Sequence, residues 1–179
     1  CFAYDDIARV KRIYNPVIAP NREMAAYVVD LAPPSGEDSL RNQQDIWMVN
    51  LEGDPDPRQF AFGSKREFLP LWSPSGDRLA FLSDRSGTVQ IYTIYTSGGE
   101  AEKITSLGGE VTGYCWESSG ERFAAVVRES KENKGDEEGY DERVIGKDEA
   151  KSRLWIIDSE TGSGERISDP SIHVQAVDW

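Results

Sequence analysis

A chain of 179 residues with 38% hydrophobic and 10% aromatic content is long enough for one packed domain, and its composition excludes a disordered chain. The net charge of −12 argues against a nucleic-acid partner, which demands a basic face, and no run of 18 apolar residues offers a membrane-spanning helix. The acidity itself reads as solubility, or as a field that steers cationic ligands.

In chain order, Asp5 to Arg12 suits a short helix capped by Asp5. A first unit follows, in which Val17-Ile18-Ala19-Pro20-Asn21-Arg22-Glu23-Met24-Ala25-Ala26-Tyr27 reads as strand, turn and strand. A Pro- and Ser-rich loop from Leu31 to Gln44 leads to the apolar run Asp45-Ile46-Trp47-Met48-Val49-Asn50 and a short strand at Arg58-Gln59-Phe60. The second unit is the clearest. Leu71-Trp72 ends a strand, and Ser73-Pro74-Ser75-Gly76 turns, with Pro where φ is near −65° and Gly where φ turns positive. Leu79-Ala80-Phe81-Leu82, Ile91-Tyr92-Thr93-Ile94-Tyr95 and Lys103-Ile104-Thr105 are its further strands. The third unit repeats the frame as Tyr114-Cys115-Trp116-Glu117-Ser118-Ser119-Gly120-Glu121-Arg122-Phe123-Ala124, Arg153 to Asp158, and Arg166-Ile167-Ser168. Asp178-Trp179 opens a fourth copy.

Trp72 and Trp116 lie 44 positions apart, the spacing of one four-stranded propeller blade. The strands are apolar at nearly every position, as strands covered on both faces are. The expected fold is therefore all-β. It is a partial β-propeller of four-stranded antiparallel blades at about 13–62, 66–106 and 110–168, with the first strand of another at 172–179. Trp116 to Trp179 is 63 positions, so the third unit carries 19 extra residues, placed in a charged insertion from Arg128 to Arg153 that projects from one rim. Ile18 to Trp72 is 54 positions, and the extra residues fall in the matching loop. An array of this length leaves its two end faces bare, so the expectation is a marginal or self-associating unit that needs further blades. Repeated placement puts Trp47, Trp72, Trp116, Trp155 and Trp179 in the blade cores rather than on a stacking platform.

Little in the chain carries chemistry. His173 is the single histidine, and no Gly-x-Ser-x-Gly nucleophile elbow occurs, so no catalytic residue is assigned and His173 reads as a loop residue bonding between blades. The run from Asp136 to Glu142 lacks the alternating oxygen ligands of a calcium loop and reads as a solvated insertion. Asp84 and Arg85 read as a surface pair, with each other or with the next blade, adding little stability. Cys115, beside Trp116, reads as a buried free thiol. No metal or cofactor is implied.

The turn Ser-Pro-Ser-Gly-Asp-Arg followed by Ala-Phe, Ile-Tyr and Lys-Ile-Thr resembles the blade repeat of TolB-type propellers and of prolyl oligopeptidase family serine peptidases. Arg9 to Pro16, Asp141 to Gly146, Arg153 to Gly162 and His173-Val174 are similar to the acylaminoacyl-peptidase and dipeptidyl-peptidase branch. The resemblance covers essentially the whole chain. It implies an N-terminal propeller that gates short peptides into an α/β-hydrolase domain holding the Ser-Asp-His triad, a domain absent from this sequence. The partners are then the missing blades, that hydrolase domain and a short peptide substrate, with no nucleic acid and no membrane span. Paired glutamates anchor a peptide's amino group in dipeptidyl peptidases, and Glu137 and Glu138 are the substrate-binding candidates here. The other reading is a TolB-type scaffold that binds protein without catalysis. The compartment stays open between the cytoplasm and a periplasmic or Cys1-lipidated location.

Overall fold

The computed structural model describes residues 12–31, 43–53, 55–63, 65–129 and 151–179. Their twelve strands form three separate antiparallel sheets of four, each in sequence order. The first blade holds β1 (Arg12–Ile18), β2 (Met24–Leu31), β3 (Gln43–Asn50) and β4 (Arg58–Ala61). The second holds β5 (Glu67–Trp72), β6 (Arg78–Ser83), β7 (Gln90–Tyr95) and β8 (Glu102–Lys103). The third holds β9 (Gly109–Trp116), β10 (Arg122–Glu129), β11 (Ser152–Asp158) and β12 (Gly164–Arg166). The three apolar runs assigned as equivalent third strands are β3, β7 and β11. The proposed Asp5 helix falls almost wholly outside the described residues, and Arg12 opens β1.

Apolar side chains on alternate faces of the middle blade explain why the sheets stack. Leu79 and Phe81 of β6, with Tyr92 and Ile94 of β7, pack against Ala26, Val28, Ile46 and Met48 of the first blade. Ala80, Leu82 and Ile91 point the other way, into a core with Val111, Tyr114, Trp116, Phe123, Ala125 and Val127 of the third blade. Two-faced burial of this kind requires the near-continuous apolar runs seen in the sequence. Phe81 and Phe123 are fully buried, each contributing about 1.5–3 kcal/mol.

The joints between blades repeat residue for residue. Trp72 donates its indole N–H to the carbonyl of Val17 at 3.1 Å, and Trp116 donates to Leu71 at 3.3 Å. The first turns share one hydrogen-bond pattern: Arg22 N–H to Ala19, Gly76 N–H to Ser73, and Gly120 N–H to Glu117. All three donors have left-handed φ, of 64°, 75° and 79°. Glycine fits that region freely, whereas Arg22 holds it against its own Cβ.

Two boundaries differ from the sequence reading. Arg128 and Arg153, the assigned ends of the charged insertion, are strand residues, because the β10–β11 ladder runs out to Arg128 opposite Ser152. Beyond it, Glu129 N–H donates to Lys151. Residues 172–179 lie where a next first strand belongs but form no ladder. Val174 N–H donates to Ser152, as Val111 N–H donates to Val89. Arg122 lies 5.5 Å from the ring centroid of Trp179, as Arg78 lies 5.7 Å from that of Trp116. Trp179 is half exposed, unlike the buried Trp72 and Trp116. Trp47 and Trp155 are partly buried on their third strands.

Candidate functional site

Glu137 and Glu138 lie outside the described residues, as does Cys1. His173 is exposed, and its Nδ1 accepts the backbone N–H of Ser152 at 3.3 Å, which ties the connector after the third blade to β11. Cys115 is a free thiol, half-buried, and burial is the main cause that raises its pKa, with the charge of Asp178 adding to it. Among the described residues no three His, Cys, Asp or Glu side chains gather as a metal-binding group, and no helix is long and apolar enough to cross a membrane.

The polar chemistry gathers at the rim where the blades connect, the rim that also carries the loops between second and third strands. The residue just before the apolar run of each third strand is polar and buried: Asp45, Gln90 and Arg153 are each less than 5% exposed. Each pegs the connector to the next blade. Asp45 accepts from Gln59 Nε2 at 2.6 Å and from the backbone at Gly63. Gln90 donates to the carbonyls of Leu107 and Gly109 and accepts from Leu107 N–H and Thr105 Oγ1. Arg153 donates to the carbonyl of Ile172. Beside them, Thr105 and Ser168 accept the N–H groups of Ile91 and Leu154 through their hydroxyls.

Asp84 and Arg85 do not form the surface pair expected. Asp84 is buried and binds Arg66 through both its backbone N–H and its guanidinium, at 3.0 and 3.1 Å. Arg85 bonds to Glu67 at 2.8 Å, and Glu67 is fully buried. Asp84 opens the loop that joins β6 to β7, and Glu67 is bonded by Arg85 of the same loop, so these are buried charges held by specific donors. Glu67 Oε1 also accepts from Ser83 Oγ, whereas Oε2 has no hydrogen-bond partner. Burial raises the pKa of Glu67, Arg85 opposes that rise, and Asp45 adds to it. Asp45 is likewise raised, mainly by burial. No sequence signal marked Glu67, which precedes the apolar strand and looks like a surface residue.

On the opposite rim a cleft of about 180 Å³ opens between the second and third blades, lined by Arg78, Thr93, Tyr95, Glu102, Ile104, Ser159 and Glu160. The third blade carries the matching groove on its outward face, lined by Arg122, Ile156, Asp158, Ser163, Gly164 and Glu165. In the first cleft the third blade's Ser159 and Glu160 form one wall.

No protein-family model matches the chain. It is 34% identical over 141 residues, 78% of its length and 20% of the relative's, to a protein of Bacillus subtilis (strain 168) named "Uncharacterized peptidase YuxL". It is 27% identical over 133 residues, 72% of its length and 19% of the relative's, to dipeptidyl-peptidase 5 of Porphyromonas endodontalis. The chain thus spans about a fifth of the length of these curated relatives. Among solved structures, the acylaminoacyl peptidase of Pyrococcus horikoshii superposes with a TM-score of 0.65 at 20% identity, over 90% of this chain and 25% of that one. A TolB of Agrobacterium tumefaciens superposes with a TM-score of 0.59 at 20% identity, over 88% of this chain and 48% of that one. With its strand order and its blade-to-blade joints, these likenesses make the chain a β-propeller portion of the prolyl oligopeptidase family type, related to the TolB-type propellers.

Proposed function

We propose that this chain is the non-catalytic propeller part of a serine peptidase that cleaves short peptides, of acylaminoacyl- or dipeptidyl-peptidase type, and that it gates substrates into a hydrolase domain lying outside this sequence. The observation that carries the reading is the 34% identity to a protein named as a peptidase across 78% of the chain. The chemistry of the chain agrees with a supporting role. Its single histidine is spent on a backbone bond, and the sequence has no nucleophile elbow for it to serve. Within this reading, Glu137 and Glu138 hold the free amino group of the substrate.

A fluorophosphonate probe tests the assignment. It should label one serine in the full-length protein and none within these 179 residues, and a labelled serine in this chain sinks the reading. Gating is tested by peptide length. Full-length variants that loosen the joint between the second and third blades should gain activity on long peptides relative to short ones. An unchanged length preference removes the gating role. Glu137→Gln with Glu138→Gln should raise KM for substrates with a free amine and leave acylated substrates alone.

A scaffold of the TolB type is the second reading. It is favoured by 32% identity over 69 residues to a Tol-Pal system protein TolB of Wolbachia. A full-length protein with no probe-reactive serine and a stable protein partner would establish it.

A further inference from the structure

Arg78 and Arg122 hold the same place in successive blades, six residues after Trp72 and Trp116, yet their surroundings differ. Arg122 is gripped in two-pronged fashion by Glu117, at 2.9 and 2.8 Å. The residue at the Glu117 position of the second blade is Ser73. Its hydroxyl is already used, donating to Asp77 and accepting the backbone N–H of Arg78. The Arg78 guanidinium is left over the Trp116 ring, with a buried Nε that has no hydrogen-bond partner. Among the described residues no carboxylate forms an ion pair with Arg78, and neither Glu102 nor Glu160, which share its cleft, has an ion-pair partner.

The walls of this cleft are held by main-chain contacts. Ser159 is fully buried, and its hydroxyl donates to the carbonyl of Gly120 at 2.9 Å. The turn that follows presses on the second blade so closely that a Cβ on Gly162 would lie 1.8 Å from the carbonyl oxygen of Ile104. These contacts fix how the two blades meet along the cleft. Arg78 lines the cleft without a carboxylate partner among the described residues, and the planar fork of a guanidinium suits a carboxylate. A simple anion would also face Glu102 and Glu160. A cation alone would face Arg78. A molecule carrying both charges satisfies the three groups together, and about 180 Å³ is amino-acid-sized, well below a drug-sized pocket.

We propose that the cleft between the second and third blades binds a small zwitterion, a free α-amino acid, with its carboxylate on Arg78 and its ammonium held by Glu102 and Glu160. This does not depend on the peptidase reading. The test is isothermal titration of the chain with L-alanine, beside acetate, inorganic phosphate and methylammonium as one-ended probes. Where the chain alone does not melt cooperatively, the full-length protein is used after fluorophosphonate treatment. L-Alanine should bind at least about tenfold more tightly than any one-ended probe. Arg78→Gln should weaken it by about tenfold or more, the loss of one charge-assisted contact. Glu102→Gln with Glu160→Gln should weaken L-alanine and leave acetate unchanged or stronger. Should Arg78→Gln fail to fold, Arg78→Lys keeps the charge over Trp116 but loses the fork, and it should still weaken binding. No heat from L-alanine with folded wild-type protein overturns the proposal. So does acetate or phosphate binding as tightly as L-alanine, or an affinity indifferent to Arg78.

Discussion

The phenol of Tyr114 donates to the carbonyl of Leu69 across the joint between the second and third blades, at 2.9 Å. Leu69 has φ of 53°, a left-handed conformation that its side chain disfavours, at the irregularity where β5 slips register against β6. Tyr114 is buried, and burial raises the pKa of its phenol well above the usual tyrosine value. A buried phenol keeps its proton and donates throughout the physiological range. Tyr114→Phe should cost about 1–3 kcal/mol, because it strips a carbonyl of its partner inside a core. Denaturant melting of the two proteins measures it, and an unchanged midpoint would show the Leu69 turn to be self-supporting.

The glycines separate close approach from mere φ. Gly162→Ala would drive a methyl group into the Ile104 carbonyl and should cost about 4 kcal/mol or more, separating the second and third blades. Gly98 also has positive φ, of 106°, but nothing lies within 4 Å of its Cβ position. Gly98→Ala should cost only the backbone strain, about 1–3 kcal/mol. Equal losses in thermal melts would contradict the tight contact.

Glu67 and Asp45 set a pH dependence. Both carboxyls have raised pKa values in the folded chain, mainly through burial, so the folded state binds their protons more tightly than the unfolded state. Their favourable contribution is complete below the ordinary carboxylate range and is lost as pH rises through the raised values. Asp77, Glu117, Asp158 and Asp169 have lowered values from hydrogen bonds and oppose the trend, but all are at or near the surface. Melting temperature should therefore fall as pH climbs out of the acid range, with a shallower slope in Asp45→Asn. A slope identical in the variant would remove Asp45 from the effect.

Exposure at the two ends predicts association. Ile13 and Ile18 on β1, and Ile172 and Trp179 beyond β12, are all at least half exposed. The chain alone should self-associate in light scattering and melt broadly, and the chain extended by a following repeat should melt more sharply. Hydrogen exchange should be slowest at Ala80, Phe81, Leu82 and Ile91, in the one blade covered on both sides. A strictly monomeric, sharply melting chain, or slowest exchange in β1, contradicts this picture.

The three sheets were legible because their signal is repeated: the Trp72 and Trp116 turns lie 44 positions apart, and an apolar third strand follows each turn. The pegs were not legible, because Asp45, Gln90 and Arg153 do the same work with three chemistries. An acid accepts from amides and N–H groups, an amide does both, and a guanidinium donates to a carbonyl. Identity in space is hidden by difference in sequence. Arg22 only eroded the signal of the first turn, which was still read between Ile18 and Met24 although the glycine that marks left-handed backbone at positions 76 and 120 is absent there. Glu67 was missed because its burial comes from Arg85 and Ser83, 18 and 16 residues away, which no local pattern encodes.

The indole bonds of Trp72 and Trp116 each run from one position in a blade to a fixed position in the blade before. A joint written this way takes no account of how many units precede it. Duplicating or deleting a whole repeat of the coding sequence restores every such bond at the new junction. Losing part of a repeat strands an indole on one side and a carbonyl on the other. Change in the number of blades is thus quantised by the joint itself, while the stretch between second and third strands differs in length from blade to blade, from Leu31 to Gln43, from Ser83 to Gln90 and from Glu129 to Ser152.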